Sequence, residues 1–226
     1  MTEEKKNHKQ AGYQVKTFPV PFDLREIKEN ITINTNSPSK LSKEQIINQA
    51  FKFHSQGNIS EAAKYYQLFI NRGFKHFRVF SNYGTILKKF GNYKKAELLT
   101  RKAIQLKPDC TDAHYNLGTI LIDMDNLEEA VLSFIKTIEL NPNFFQAHSS
   151  LGNIFRRLGK LEESELYTRK AIDINPNYSN AHSNLGIILK YRGKLQEAEL
   201  SYRKAIELNP DFVEAHSNLG NILKDL

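Results

Sequence analysis

Asparagine recurs at an interval of 34 residues through most of this 226-residue chain, and a serine fills the one missing place. An asparagine amide can both donate and accept hydrogen bonds, so it can pair with either polar group of a peptide backbone. Asparagine is a mediocre helix former, so local helix stability does not explain the recurrence. The spacing predicts a row of sites that hold the backbone of an extended peptide. The members of this asparagine row are Asn48, Asn82, Asn116, Asn184 and Asn218, with Ser150 in the gap.

Basic side chains stand six or seven residues after the places of the asparagine row. They are Lys88, Lys89, Arg156, Arg157, Lys190 and Lys224. The formal net charge of the chain is +7, a balance that suits an acidic partner or a nucleic acid. We expect the peptide ligand to be acidic in part. The residues that would select it are Lys88, Arg156, Arg157 and Lys190.

Histidine also recurs with the same interval, at His114, His148, His182 and His216. A histidine row suggests a metal site, but equivalent residues on neighbouring packed helices stand roughly 8–10 Å apart. One zinc ion, with a Zn–N distance of about 2.1 Å, cannot bridge that gap. These histidines are therefore expected to pack as half-buried aromatic rings, and the sequence predicts no metal and no other cofactor.

Catalytic motifs are missing from the sequence. The patterns GxGxxG, HExxH, CxxC and GxSxG do not occur, although each would place reactive groups or phosphate-binding backbone in a known arrangement. The segment at 152–160 weakly resembles a phosphate-binding loop, but Leu161 stands where a magnesium-binding hydroxyl is needed. The sequence predicts a protein that is not an enzyme.

The 34-residue period extends from Lys43 to the end of the chain and predicts the helices that carry these residues. Such a period is typical of a helical solenoid, in which each block is a helix pair that must stack on its neighbours to complete a core. Within each block, apolar or small residues at positions 4, 7, 8 and 11 predict one face of a first helix. A second apolar set at positions 17, 20, 24, 27 and 28 predicts a second helix. The blocks are 43–76, 77–110, 111–144, 145–178, 179–212 and the half block 213–226.

Characteristic residues mark the turn between the two helices of a block and the turn between successive blocks. Position 15 needs a left-handed backbone conformation to end the first helix, and it is glycine in four blocks and Asp125 in one. Proline at position 32 is followed by a residue that we expect to cap the next first helix. The expected caps are Asp109, Asn143, Asn177 and Asp211.

These residues resemble the tetratricopeptide repeat. The small residues that the family has at positions 8, 20 and 27 are present here, for example as Gly186, Ala198 and Ala205. The resemblance covers 43–226 and implies an all-α fold, a right-handed α-solenoid of stacked antiparallel helix pairs. It also implies that the asparagine row lines the concave groove of a superhelix. The row is similar to the one in the superhelical repeats of O-linked N-acetylglucosamine transferases. The alternative is an idle asparagine copied by repeat duplication.

Residues 1–42 lie outside the repeats and are expected to be a mostly disordered tail, because their polar and charged composition buries little surface. Phe22, Ile27 and Ile31 could form a short recognition helix within it. No apolar signal segment or membrane span is apparent, and the single Cys110 suits a reducing compartment, so we expect a cytoplasmic protein without membrane contact.

The function that the sequence favours is a non-catalytic scaffold that binds an extended peptide or disordered segment of another protein. The sequence leaves two alternative functions open. One is a targeting module of a protein-modifying transferase without its catalytic domain. The other is an RNA-binding helical repeat, which the nearly invariant polar positions disfavour. The helix from Val213 carries Leu219, Leu223 and Leu226 without a following helix, so we expect either that the repeats continue in a longer chain or that this helix associates with another copy or a partner.

Overall fold

The computed structural model describes residues 41–226, and these residues form eleven α-helices and no β-strand. Residues 1–40, which hold most of the predicted tail and its suggested recognition helix at Phe22, Ile27 and Ile31, lie outside the described part. The odd-numbered helices begin at the first residue of each sequence block. The helices are α1 Lys43–Ser55, α2 Ile59–Asn71, α3 Phe77–Lys89, α4 Tyr93–Leu106, α5 Thr111–Asp123, α6 Leu127–Leu140, α7 Phe145–Arg157, α8 Leu161–Ile174, α9 Ser179–Tyr191, α10 Leu195–Leu208 and α11 Val213–Asp225.

The turn inside each complete block has the predicted left-handed residue. Gly57, Gly91, Gly159 and Gly193 have φ between 73° and 75°, and Asp125 has φ 59° at the same place. A side chain is unfavourable in this region, and aspartate is among the residues that tolerate it. Position 15 therefore ends the first helix of each block.

Within a block, the two helices meet closely at the glycine of position 8. A Cβ atom built on Gly118 would lie 2.7 Å from the ring of Phe134, and one on Gly186 would lie 2.7 Å from the ring of Tyr202. Both rings are fully buried. The missing side chain therefore makes the space into which the aromatic residue of the second helix packs.

Neighbouring blocks share their cores, as the solenoid prediction requires. One buried cluster joins Leu117 and Leu121 of α5, Phe134 of α6, and Leu151 and Ile154 of α7. The last of these helices belongs to the next block, so a helix pair completes its core with its neighbour. The predicted all-α solenoid of stacked antiparallel helix pairs is confirmed.

The predicted capping of the first helices is wrong. The residues before α5, α7, α9 and α11 are Cys110, Phe144, Tyr178 and Phe212, and no side chain caps these helix starts. Asp109, Asn143, Asn177 and Asp211 stand one residue too early to cap. The aromatic residues at the cap position pack instead; the ring of Phe144 lies 4.9 Å from that of Tyr115. Apolar packing has thus taken the place of a capping hydrogen bond.

The last described helix, α11, buries only part of its apolar surface. Ile222 is fully buried, whereas Leu223 and Leu226 are 50% and 53% exposed. Self-association through α11 stays a prediction.

Candidate functional site

The asparagine row lies on odd-numbered helices, at position 6 of each block, where the side chains are partly or fully exposed. On the same helices, positions 7 and 8 face the core; Leu185 and Gly186 are buried beside Asn184. The asparagine row lies on the side of the odd-numbered helices that faces away from the core. Because these helices pack against one another, the members of the row share one surface. We call this surface, formed by positions 2, 5, 6, 9, 12 and 13 of the odd-numbered helices, the groove.

A polar recess of about 250 Å³ opens in the groove between α7 and α9. Ser149, Ser150 and Asn153 of α7 line one side of it, and Asn180 and Asn184 of α9 line the other. The rings of Tyr178 and Phe212 complete its wall. The recess thus combines amide and hydroxyl groups with two aromatic contact surfaces.

A second recess, of about 400 Å³, occupies the equivalent place between α1 and α3. It is lined by Phe51, His54 and Ser55 on α1 and by Arg78 and Asn82 on α3. Both recesses therefore use positions 2 and 6 of the later helix. Two members of the asparagine row, Asn82 and Asn184, line them.

Two members of the row also connect adjacent blocks. The Asn82 amide donates a hydrogen bond to the Tyr66 hydroxyl at 3.2 Å, and the Asn116 amide donates one to Ser81 Oγ at 3.1 Å. Each bond uses one amide hydrogen, and the amide oxygen can still accept. Within residues 41–226, the side chains of Asn48, Asn184 and Asn218 have no hydrogen-bond partner, so their amides can pair with a ligand in full.

Ser150, which interrupts the row, lies in the recess between α7 and α9 opposite Asn184. Burial raises the pKa of Tyr115 and the nearby Tyr178 adds to the increase, while the polar side chain of Ser150 opposes it. The gap in the asparagine row is therefore filled by another polar group.

Three of the four basic residues that were predicted to select the ligand are paired with carboxylates of an adjacent block. Lys88 Nζ lies 3.3 Å from Asp123 Oδ2, and Lys190 Nζ lies 3.4 Å from Asp225 Oδ2. Arg157 Nη2 lies 2.6 Å from Asp125 Oδ1. These pairs were not predicted from the sequence. The sequence signal for the two lysine pairs is an aspartate at position 13 of the block that follows each lysine.

Arg156 differs from the other three predicted cations. In the part of the chain that the structure describes, it has no carboxylate partner; its Nη2 donates to Asn153 Oδ1 at 2.8 Å. Its Nε is buried and has no hydrogen-bond acceptor there. Asn153 lines the recess between α7 and α9, so an unneutralised guanidinium lies beside this recess.

The four histidines of position 4 each bond the carbonyl of the proline six residues earlier. The distances from Nε2 to the proline oxygen are 2.8, 3.0, 2.8 and 2.9 Å for His114, His148, His182 and His216. These bonds attach each first helix to the turn before it. The recurring proline at a spacing of six was the sequence signal for this contact.

His148 is the most buried of these histidines. Burial lowers its pKa, the nearby Lys170 charge lowers it further, and the bond to the Pro142 carbonyl opposes both effects. Among the described residues, no group of three or more potential ligands could hold a metal ion. No helix of residues 41–226 is long and apolar enough to span a membrane.

Comparison with protein families finds repeat models along most of the chain. Models described as tetratricopeptide repeat match residues 77–110, 111–144, 145–178 and 167–199, and one described as TPR repeat matches residues 188–226. Together these matches cover 77–226 without a gap. A search of curated protein sequences gives no significant match.

Solved structures with the same architecture include YrrB, described as a TPR protein with an unusual peptide-binding site. It is 23% identical, has a TM-score of 0.65, and the match covers 82% of this chain and 93% of YrrB. The MamA protein is 20% identical, with a TM-score of 0.65 and coverage of 74% and 92%. A tetratricopeptide repeat protein from Parabacteroides merdae is 17% identical, with a TM-score of 0.69 and coverage of 80% and 72%. At these identities the likeness concerns the fold.

Proposed function

The chain belongs to the tetratricopeptide repeat family, and from this premise we propose that it is a non-catalytic protein-interaction scaffold. Its ligand is an extended peptide or a disordered segment of another protein, bound in the groove. The observation that carries the proposal is the polar recess between α7 and α9, in which Asn184 has an amide without a partner among the described residues. YrrB, which has a peptide-binding site by its description, adds support by analogy.

The spacing of the row suits an extended ligand. The bond between Asn116 and Ser81 shows that successive odd-numbered helices touch, and helices in contact are separated by roughly 8–10 Å. A polyproline II segment rises about 3.1 Å per residue and turns once in three residues. Such a segment therefore returns the same backbone face about every 9 Å, which matches one amide per block.

Asparagine amides that pair with the ligand backbone do not distinguish one ligand side chain from another. Specificity therefore requires contacts from other groups. Tyr178 and Phe212 offer apolar contact in the recess between α7 and α9. Arg156 offers a positive charge beside it, whereas Lys88, Arg157 and Lys190 are partly neutralised by their aspartates. We therefore assign the selection of an acidic ligand residue chiefly to Arg156, with the other three in a supporting role.

The same ion pairs argue against RNA as the ligand. A nucleic-acid groove neutralises several phosphates with free Lys and Arg, so its affinity falls steeply with salt. In residues 41–226 three of the four predicted groove cations already have a carboxylate partner. Binding through backbone amides would instead depend weakly on salt.

The proposal is tested with peptides selected from a random, unstructured library displayed on phage. Affinities of the selected peptides are then measured for the full chain and for Asn184→Ala/Asn218→Ala. These two amides bond no described residue, so alanine should leave the fold intact. Since a hydrogen bond contributes about 0.5–1.5 kcal/mol and each amide makes one or two, we expect affinity to fall about tenfold or more.

The matched control is Asn143→Ala/Asn209→Ala, which removes two exposed asparagine side chains outside the row. Circular dichroism must first show that all three proteins are equally helical. If both double variants bind the peptides as tightly as the original chain, the asparagine row does not hold the ligand and the proposed function fails.

A further inference from the structure

A row of exposed leucines runs along the even-numbered helices. Leu98, Leu132, Leu166 and Leu200 occupy position 22 of their blocks on α4, α6, α8 and α10, and they are 53%, 66%, 67% and 67% exposed. We call them the leucine row. Single exposed leucines are common on protein surfaces, but a recurring set is a feature of interaction surfaces. In the first block the same position is Lys64, which pairs with Glu61.

The leucine row faces away from the core and from the groove. On α6, Ala130 and Phe134 are fully buried and mark the side of the helix that faces the core. Because successive residues of an α-helix are about 100° apart, Leu132 lies on the opposite side of α6. None of the residues of the groove belongs to an even-numbered helix. The row is therefore a separate surface.

Contacts between the even-numbered helices make this surface continuous. Arg101 of α4 lies 2.6 Å from Glu129 of α6, and Arg169 of α8 lies 3.3 Å from Glu197 of α10. Between α6 and α8 the corresponding arginine is replaced by Ile135, which packs with Tyr167 of α8 against one core cluster. The two central leucines, Leu132 and Leu166, therefore lie on helices that pack against the same core cluster.

The charges around the two central leucines have a fixed order. Glu128 and Glu129 precede Leu132 and Lys136 follows it by four residues; on α8, Glu162 and Glu163 precede Leu166 and Lys170 follows it by four. Residues four apart on a helix are neighbours on its surface. Each central leucine is thus flanked by carboxylates on its N-terminal side and by an ammonium group on its C-terminal side. Two of these charges also form ion pairs at the surface of their own chain, Lys136 with Glu139 at 2.9 Å and Glu162 with Arg192 at 3.4 Å.

We propose that a second copy of this chain docks on the leucine row, related by a two-fold axis that lies in the interface and runs across α6 and α8 at the level of Leu132 and Leu166. The axis reverses the helix direction, so the acidic side of one copy meets the basic side of the other. Leu132 then contacts Leu132 of the partner subunit, and Leu166 contacts Leu166 of the partner subunit. Lys136 faces Glu128 of the partner subunit, and Lys170 faces Glu162 of the partner subunit.

The same operation explains why the contact is centred on α6 and α8. Around Leu98 and Leu200 the residues that precede the leucine are Lys94 and Gln196 instead of glutamates. Lys102 would therefore face Lys94 of the partner subunit, which is unfavourable, and Lys204 would face Gln196 of the partner subunit, which forms no ion pair. With only the central leucines fully engaged, the buried area is below the ~800 Å² per partner of a standard interface. We expect weak association, with a dissociation constant on the order of 0.1–1 mM.

Sedimentation velocity of the full chain at concentrations up to about 1 mM tests the proposal. The original chain should form dimers as concentration rises. Leu132→Lys/Leu166→Lys, which needs no core change, should weaken association about tenfold or more. The comparison variant Leu223→Lys/Leu226→Lys changes two half-exposed leucines of α11, the other predicted self-association surface, and should dimerise as the original chain does if the leucine row is the contact. A chain that stays monomeric, or association lost only in the comparison variant, overturns the proposal.

Charge exchange tests the two-fold arrangement itself. Lys136→Glu/Lys170→Glu should self-associate less than the original chain, and so should Glu128→Lys/Glu162→Lys, because each places like charges opposite each other. An equimolar mixture should restore association to within about threefold of the original, since every facing pair is then of opposite sign. If the mixture associates no better than either variant alone, the proposed arrangement is wrong.

Discussion

Replacing Gly186 by alanine should lower the free energy of unfolding by about 1–3 kcal/mol. The added Cβ atom would lie 2.7 Å from Cε1 and 2.8 Å from Cζ of Tyr202. The ring of Tyr202 is 1% exposed and is enclosed by the core cluster that Leu185, Leu189 and Ala205 also form. Because the ring has no space to move into, α9 and α10 must separate. Urea unfolding followed by circular dichroism measures the loss.

The chain contains its own control for this substitution, because residues 181–186 and 215–220 are both AHSNLG. Nothing lies within 4 Å of a Cβ atom at Gly220. Alanine is a better helix former than glycine by about 0.5–1 kcal/mol. Gly220→Ala should therefore leave stability unchanged or raise it. Equal effects of the two substitutions would mean that the glycine of position 8 does not determine how closely the helices pack.

Reversing the charge of Arg156 should weaken the binding of acidic peptides by roughly ten- to a hundredfold. A hydrogen bond to a charged group contributes about 1.5–3 kcal/mol, and 1.4 kcal/mol corresponds to a factor of ten. In the described part of the chain Arg156 has no carboxylate partner, and the group it bonds, Asn153, lines the recess between α7 and α9. Fluorescence anisotropy with labelled peptides compares the original chain with Arg156→Glu.

Arg157→Glu is the matched control for this prediction. Arg157 is the next residue in the chain, but its guanidinium lies 2.6 Å from the carboxylate of Asp125, so its charge is largely satisfied. We expect its reversal to change affinity by less than about threefold, as for a charge at the rim of an interface. Similar losses for both arginines would show that general positive charge, and not the position of Arg156, selects the ligand.

Much of the fold could be predicted because every block repeats the residues that its helices and turns need. The left-handed residue of each turn was correctly placed, even where Asp125 replaces glycine, since a helix must end where its backbone reverses. The predicted caps failed for a different reason. Polarity alone suggested that Asn143 and Asn177 would cap, but the cap positions are taken by Phe144 and Tyr178, whose rings pack on Tyr115 and Phe145.

The candidate site was only partly accessible from the sequence. The asparagine row follows from the period, and two of its members line recesses in the groove. The pairing of Lys88, Arg157 and Lys190 with aspartates depends on which residues of successive blocks face each other. The leucine row escaped notice because position 22 was not among the apolar positions of a packed helix. In each case the missing information was the distance between side chains of different blocks.

Peptide binding in the groove is the central claim, and a titration followed by nuclear magnetic resonance of the asparagine side-chain amides tests it most directly. The chain is labelled with ¹⁵N and a selected peptide is added. We predict that the side-chain NH₂ signals of Asn153, Asn180 and Asn184 shift, because these residues line the recess between α7 and α9. The signals of Asn143 and Asn209, outside the groove, should not change. Shifts confined to asparagines outside the groove would contradict the account.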